Sequence, residues 1–173
     1  DDGSALTPAV ADALHEQGWT PVILRFCGIS AFDNSKRKAI HKETAVIELS
    51  SSAETELQSA LKYFSEKHGS FGGFIHLHPV AKSSYETKLE DGANAFLKQA
   101  FLTAKNIYPA LRESAQSGNR RSHFLAVARL DGELGMGTGK FSAPSSGRSG
   151  LIKTAGVEWP DVFCRFLDLQ PKL

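Results

Sequence analysis

A chain of 173 residues and 18.7 kDa fits one domain or two very small ones. At that length it can bury roughly 68–70% of its unfolded surface, so it needs neither a disulfide nor a metal to hold it together. With 41% hydrophobic, 23% charged and 9% aromatic residues, it is not a disordered tail, a collagen-like fibre or a coiled coil. Lys and Arg number 20 against 19 Asp and Glu, a formal charge of +1, so no bulk field of either sign draws it to nucleic acid or an anionic membrane.

Cys27 and Cys164 are far apart in sequence and make neither a disulfide framework nor a zinc site, which points to a reducing, cytoplasmic setting. No apolar run approaches the ~18 residues of a membrane span. Residues 1–6 lack the basic region and apolar run of a signal peptide, and read as a segment cut from something longer.

In chain order, Thr7-Pro8 opens a helix with Val10, Ala11 and Leu14 at helical spacing, ended by Gly18. Pro21 to Phe26 is a short, mostly apolar strand. Residues 27–43 are polar and irregular, and Ala45 to Leu49 is the next strand. Leu57, Ala60, Leu61 and Phe64 form a helical stripe stopped near His68-Gly69. Gly73 to His78 is a strand closed by Pro79, followed by a polar connection over residues 81–92. The longest helix carries Leu97, Ala100, Phe101, Ala104, Ile107, Tyr108 and Leu111 on one face, and Ser117-Gly118-Asn119 breaks it. His123 to Ala128 is a buried-type strand, residues 131–147 a Gly/Ser-rich loop, Ser149 to Glu158 a helix, and Val162 to Leu169 the last strand.

Helices alternating with near-continuous apolar strands predict a single α/β domain over residues 1–173, with a parallel sheet covered on both faces. Right-handed crossovers make it a Rossmann-like, three-layer, doubly wound sheet. Such a fold opens with a strand ahead of its first helix. That strand is expected just upstream of these residues.

A dinucleotide site at the first strand–helix turn needs glycines, so that backbone N–H groups can approach the pyrophosphate. Here the turn reads Asp1-Asp2-Gly3-Ser4-Ala5-Leu6-Thr7, with one glycine and two carboxylates where phosphate would come. The reading is a capped helix start with no cofactor-binding residue.

Two segments carry a family resemblance. One is Ser149-Gly-Leu-Ile-Lys-Thr-Ala-Gly-Val-Glu-Trp-Pro160, followed by Cys164-Arg-Phe-Leu-Asp-Leu-Gln-Pro171; the other is the long helix Phe96 to Leu111. In order and spacing the chain resembles the short-chain dehydrogenase/reductase superfamily. More narrowly, it is similar to the ketoreductase regions of polyketide synthases and polyunsaturated-fatty-acid synthases. Those regions resemble two tandem halves, one structural and one catalytic.

Catalytic members of the family use Tyr-x-x-x-Lys, the tyrosine donating a proton to the developing alkoxide and the lysine lowering its pKa and holding the ribose. The family pattern aligned on Gly150-Leu151 and Glu158 puts Phe141 at the tyrosine position and Ser145 at the lysine position. Arg129-Leu130-Asp131 supplies no serine after the preceding strand, and residues 131–160 hold no tyrosine; Tyr63, Tyr85 and Tyr108 lie in other elements. The catalytic set therefore reads as none, and this segment as inactive by itself.

Other clusters have plainer readings. His76 and His78 share a strand face but lack a third ligand, so no metal is expected. Lys36-Arg37-Lys38 with His41 and Lys42 is a solvated loop rather than a nucleic-acid or carrier-phosphate site, and Asn119-Arg120-Arg121 is a turn. Gly132 to Gly150 resembles a phosphate loop only superficially, lacks Gly-Lys-Ser/Thr, and reads as mobile. Cys27 has no paired base in view and reads as inert.

The resemblance thus implies a non-catalytic structural subdomain of a β-ketoacyl ketoreductase region in a multidomain synthase. NADPH is expected in the adjacent catalytic half and not here. The expected partners are that half and acyl carrier protein domains, with no nucleic acid and no membrane. Some apolar surface should be exposed for the interface, with Trp159-Pro160 and the last strand as candidates. Two other readings are a catalytic NADPH-dependent reductase completed by residues outside the chain, and an acyl- or small-molecule-binding pseudo-reductase.

Overall fold

The computed structural model describes residues 1–26, 40, 42–51, 53–78, 86–118, 121–137 and 143–170, with the side chains of 86–94, 96 and 143–146 outside that description. The order is α1 (Leu6–Glu16), β1 (Val22–Phe26), β2 (Ala45–Leu49), α2 (Glu54–His68), β3 (Gly73–Leu77), α3 (Glu86–Ser117), β4 (Ser122–Ala128), α4 (Ala143–Glu158) and β5 (Val162–Asp168). Among the described residues all strand pairs are parallel. The Rossmann-like reading holds at the level of a mixed α/β chain of parallel strands and crossover helices.

Among the described residues the sheet comes in two pieces. β1 pairs with β2, and separately β3 pairs with β4 and β4 with β5. Among the described residues the strand order is β1-β2 in one piece and β3-β4-β5 in the other.

Two helix starts lie earlier than the pattern suggests. α3 reaches back to Glu86, into the stretch read as a polar connection, and α4 starts at Ala143, inside the stretch read as a loop. Pro144 falls in the first turn of α4, where the missing N–H costs nothing. α3 also runs through Pro109.

The core lies between the three-stranded sheet and the two long helices. Phe124 and Ala126 of β4 and Val162 and Cys164 of β5 meet Ile107 and Leu111 of α3 and Ile152 and Ala155 of α4. Leu111 has no solvent exposure. Aromatic rings continue the layer: Phe74 stacks on Phe124 at 5.3 Å, Phe124 on Trp159 at 5.5 Å, and Tyr108 on Trp159 at 4.4 Å. Trp159 is therefore half-buried in this layer, whereas Pro160, Leu167 and Leu169 are exposed.

α2 attaches to α3 through Glu54, which accepts from Lys105 and Asn106, and Gln58, which donates to Asn106. α1 attaches to the approach of β2 through His15 and Thr44, 2.9 Å apart. Gly18 ends α1 at φ +77°, a conformation open to glycine. Among the described residues no helix is long and apolar enough to cross a membrane.

Candidate functional site

In an open parallel sheet, ligands bind beyond the carboxyl ends of the strands, where the strand order reverses. Here that crevice is bounded by the turn into α1, the ends of β3 and β4, and the first half of α4. The turn is filled by its own side chains. Asp1 Oδ1 accepts the Gly3 N–H at 2.8 Å, Asp2 Oδ1 accepts the Ser4 N–H at 3.0 Å, and Ser4 Oγ accepts the Leu6 N–H at 3.1 Å. Thr7 Oγ1 closes the ring, donating to Asp2 Oδ1 at 2.6 Å and accepting the Asp2 N–H at 3.1 Å.

The N–H groups that could cradle a phosphate are thus already bonded to carboxylates and a hydroxyl. Arg25 pairs with Asp1 at 2.6 Å, and Arg129 pairs with Asp2 at 3.1 Å while donating to Ser4 Oγ at 3.0 Å. Burial alone would raise the Asp2 pKa, but hydrogen bonds from Ser4 and Thr7 and the Arg129 charge outweigh it and hold the carboxyl below its usual range. A pyrophosphate placed here would approach the carboxylates of Asp1 and Asp2.

The second glycine-bearing turn follows the same plan. Asp131 accepts the N–H groups of Glu133, Gly135 and Gly137, each at 2.8 Å. Asp168 accepts those of Leu130 at 2.7 Å, Gly132 at 2.9 Å and Leu134 at 3.0 Å. Gly132, Leu134 and Gly135 adopt positive φ to turn these groups inward. The start of this segment is therefore a specific hydrogen-bonded turn and not the mobile loop that its composition suggests.

His76 and His78 lie at the end of β3. Burial lowers the His76 pKa to about 3, with the Arg148 charge adding to the effect. Burial lowers that of His78 to about 2, with Arg148, His76 and Arg129 adding. Both are neutral at pH 7. Arg148 itself, 1% exposed on α4, has its pKa lowered to about 10 by burial. Among the described residues, no three His, Cys, Asp or Glu side chains converge to hold a metal.

The reductase positions can be placed only in part. Phe141 lies outside the described residues, and Ser145 falls on α4, where only the backbone is described. Tyr63 is exposed on α2, and Tyr108 is stacked on Trp159; neither faces the crevice ends of β3 and β4. Lys36, Arg37, Lys38, His41, Cys27, Tyr85, Asn119 and Arg120 lie outside the described residues; Lys42 lies just before β2. Arg121 lies over the Phe163 ring at 5.4 Å.

Arg148 and the role of Asp168 are not among the sequence candidates. Asp168 does have a signal, because it is the aspartate of the Asp-Leu-Gln-Pro stretch that carries the resemblance. A buried arginine inside a helix has none, since charged residues are almost always surface residues.

No family model matches the chain. It is 33% identical over 181 residues to a polyunsaturated fatty acid synthase subunit from Thraustochytrium sp., an alignment that covers 100% of this chain and 6% of the relative. Among solved structures, a glucose/ribitol-dehydrogenase-type short-chain dehydrogenase/reductase from Brucella melitensis superposes with a TM-score of 0.67 at 14% identity, covering 96% of this chain and 71% of that one. A SCOR enzyme of Clostridium thermocellum gives 0.66 at 11% identity, covering 95% and 67%.

The chain is similar to one stretch of a polyunsaturated-fatty-acid synthase subunit and has the fold seen in short-chain dehydrogenase/reductase structures. It spans only 6% of the length of that synthase polypeptide. An alcohol dehydrogenase of Thermococcus sibiricus, solved with 5-hydroxy-NADP, has the same fold with a TM-score of 0.62 at 16% identity, over 94% of this chain and 69% of that one. In this chain the turn into α1 carries carboxylates bonded to its own N–H groups.

Proposed function

We propose that this region is the non-catalytic, structural half of a β-ketoacyl ketoreductase unit in a multidomain polyketide or fatty-acid synthase. It binds no cofactor itself and supports an adjacent NADPH-dependent catalytic half in the same polypeptide. The observation that carries this reading is the turn into α1, where Asp1 and Asp2 take the N–H groups of Gly3 and Ser4. A carboxylate built into an anion site excludes an anionic ligand by charge and by occupancy.

Support for a catalytic neighbour means holding its reacting groups rigid, which calls for a broad apolar contact. Phe101, 53% exposed, lines an apolar groove with Leu97, Gly147 and Leu151 where α3 and α4 meet. We assign that groove to the catalytic half, and the acyl carrier domains to the composite surface the two halves form, in the cytosol.

Titration with NADPH, followed by calorimetry and by Trp19 and Trp159 fluorescence, tests the first claim. We expect no saturable binding at millimolar cofactor; saturation at micromolar cofactor overturns it. Coexpression with the catalytic half tests the second. Phe101→Asp should weaken the association and lower β-ketoacyl reduction by the pair. Unchanged reduction with unchanged association assigns the groove elsewhere.

A further inference from the structure

The face of β4 and β5 turned away from α3 and α4 carries positive charge with no carboxylate beside it. Successive side chains on a strand point to opposite faces. Phe124, Ala126, Val162 and Cys164 meet the two helices, so His123, Leu125 and Val127 of β4 point the other way, beside Phe163, Arg165 and Leu167 of β5. On β3 the same face continues through Gly73, Ile75 and Leu77. None of these residues is acidic.

At the amino ends of the two strands, Phe163 gathers two guanidiniums and an imidazole. The guanidinium carbons of Arg165 and Arg121 lie 4.4 and 5.4 Å from its ring centroid, and the His123 ring meets it edge-on at 5.6 Å. Arg165 Nη1 donates to the Cys164 carbonyl at 2.9 Å, which steadies that fork. Neither arginine has an ion-pair partner among the described residues. Asp161, just before β5, is engaged instead by Arg112 and Gln116 of α3. Arg121 and Arg165 are exposed, and Phe163, His123 and Leu125 are half-buried.

We propose that this cluster is a docking surface for an acidic protein surface, in which Asp or Glu side chains reach Arg121 and Arg165 and an apolar side chain covers the Phe163 ring. A guanidinium fork matches a carboxylate bidentately, and one stacked on an aromatic ring loses little freedom when it binds. Aromatic and arginine side chains together are what the centres of protein contacts are enriched in. The apolar strip runs on from Phe163 through Leu125 to Leu167, 48% exposed, so the surface extends beyond what one small anion would cover. A nucleic-acid strand would need a longer row of phosphate contacts and successive stacking rings, and a single ring stands here. The surface is distinct from the crevice, which lies at the carboxyl ends of the strands, and from the Phe101 groove on the α3–α4 side.

The test titrates the chain with acetyl-Glu-Leu-Glu-Glu-Leu-Glu-amide and follows the amide and arginine Nε–H signals by NMR. Shifts should saturate at millimolar peptide and centre on Arg121, His123, Phe163 and Arg165, and added salt should weaken the binding. Arg121→Gln combined with Arg165→Gln should weaken it about tenfold or more while leaving Tm unchanged, since both side chains are exposed. Phe163→Leu keeps both charges and should weaken it about threefold. The same peptide with Lys in place of Glu should leave the four signals unmoved. Failure to saturate overturns the proposal, as do shifts centred on Lys62 and Lys67 of α2, which would mean general attraction to positive charge. Inorganic phosphate or a thymidine oligonucleotide that moves the same signals at lower concentration overturns it too, because the cluster is then a small-anion or nucleic-acid site.

Discussion

Arg129 Nη1 lies 3.1 Å from Asp2 Oδ2, with the Asp2 side chain fully shielded from solvent. The two residues come from distant parts of the chain, and their pairing ties the end of β4 to the start of α1. The pair is shared with Ser4, which donates to Asp2 Oδ2 at 2.6 Å and accepts from Arg129 at 3.0 Å.

Breaking one side of such a pair leaves the other charge buried. Asp2→Ala and Arg129→Ala should each cost about 3 kcal/mol or more in urea unfolding. The double variant should cost less than the sum, by about 1–3 kcal/mol of coupling. Asp2 adds an acid dependence. Its folded pKa lies below the ordinary 3.8, so its stabilisation is present above that value and lost as pH falls through the lower folded value. In Asp2→Asn that acid limb should shrink. Additive single-variant costs would show that Asp2 and Arg129 do not act as a unit.

The buried histidines set a second, higher pH window. His76 and His78 titrate near 6.5 when unfolded but at about 3 and about 2 when folded. Below pH 6.5 the unfolded chain takes up protons that the folded chain refuses. Stability from this source is complete above 6.5 and declines as pH falls toward 3. Near pH 5, unfolding should take up about two protons from this pair. His76→Leu and His78→Leu should each flatten the fall in Tm between pH 6.5 and 4, while leaving the Asp2 limb below pH 4 in place. An unchanged slope in both variants would mean that neither ring is held neutral by the fold.

Two glycines should respond oppositely to alanine. A Cβ at Gly72 would fall 2.7 Å from Cζ3 of Trp19, where the connection after α1 packs against the entry to β3. Gly72→Ala must push the indole aside, so it should cost about 1–3 kcal/mol and shift Trp19 emission. Gly150 lies within α4 with open space around it, and Gly150→Ala should stabilise by about 0.5–1 kcal/mol. Chemical denaturation of both variants, with fluorescence detection, checks the pair. A silent Gly72→Ala would mean that Trp19 is not wedged there.

Much of this architecture is legible in the residues, because it depends on local pattern. The apolar run His123 to Ala128 and the stripe from Leu97 to Leu111 become β4 and the core-facing side of α3. The early starts of α3 and α4 are missed because residues 86–92 are mostly polar and 143–150 are rich in Ser and Gly, so neither shows an apolar spacing. The division of the sheet is also invisible, since strand neighbours are set by contacts distant in sequence. The two carboxylates and single glycine of the turn into α1 are readable in the sequence. That Asp1 and Asp2 satisfy the N–H groups themselves is a matter of geometry, as is the burial of Arg148.

Asp168 gives the most local test. Its two oxygens take the N–H groups of Leu130, Gly132 and Leu134, and so fold the turn after β4 back onto the end of β5. Leu134 is held there at φ +60°, a conformation that a leucine adopts only when its surroundings impose it. Asp168→Ala removes the acceptor while leaving the β4–β5 ladder intact. The turn is solvent-facing, so water replaces part of what is lost, and the cost should be about 1–2 kcal/mol. Exchange should quicken at Gly132 and Leu134 and stay slow at Phe124 and Ala126, which lie in β4. If protection at Gly132 and Leu134 survives the substitution, the turn is held by its glycines and Asp131 alone, and Asp168 is dispensable to it.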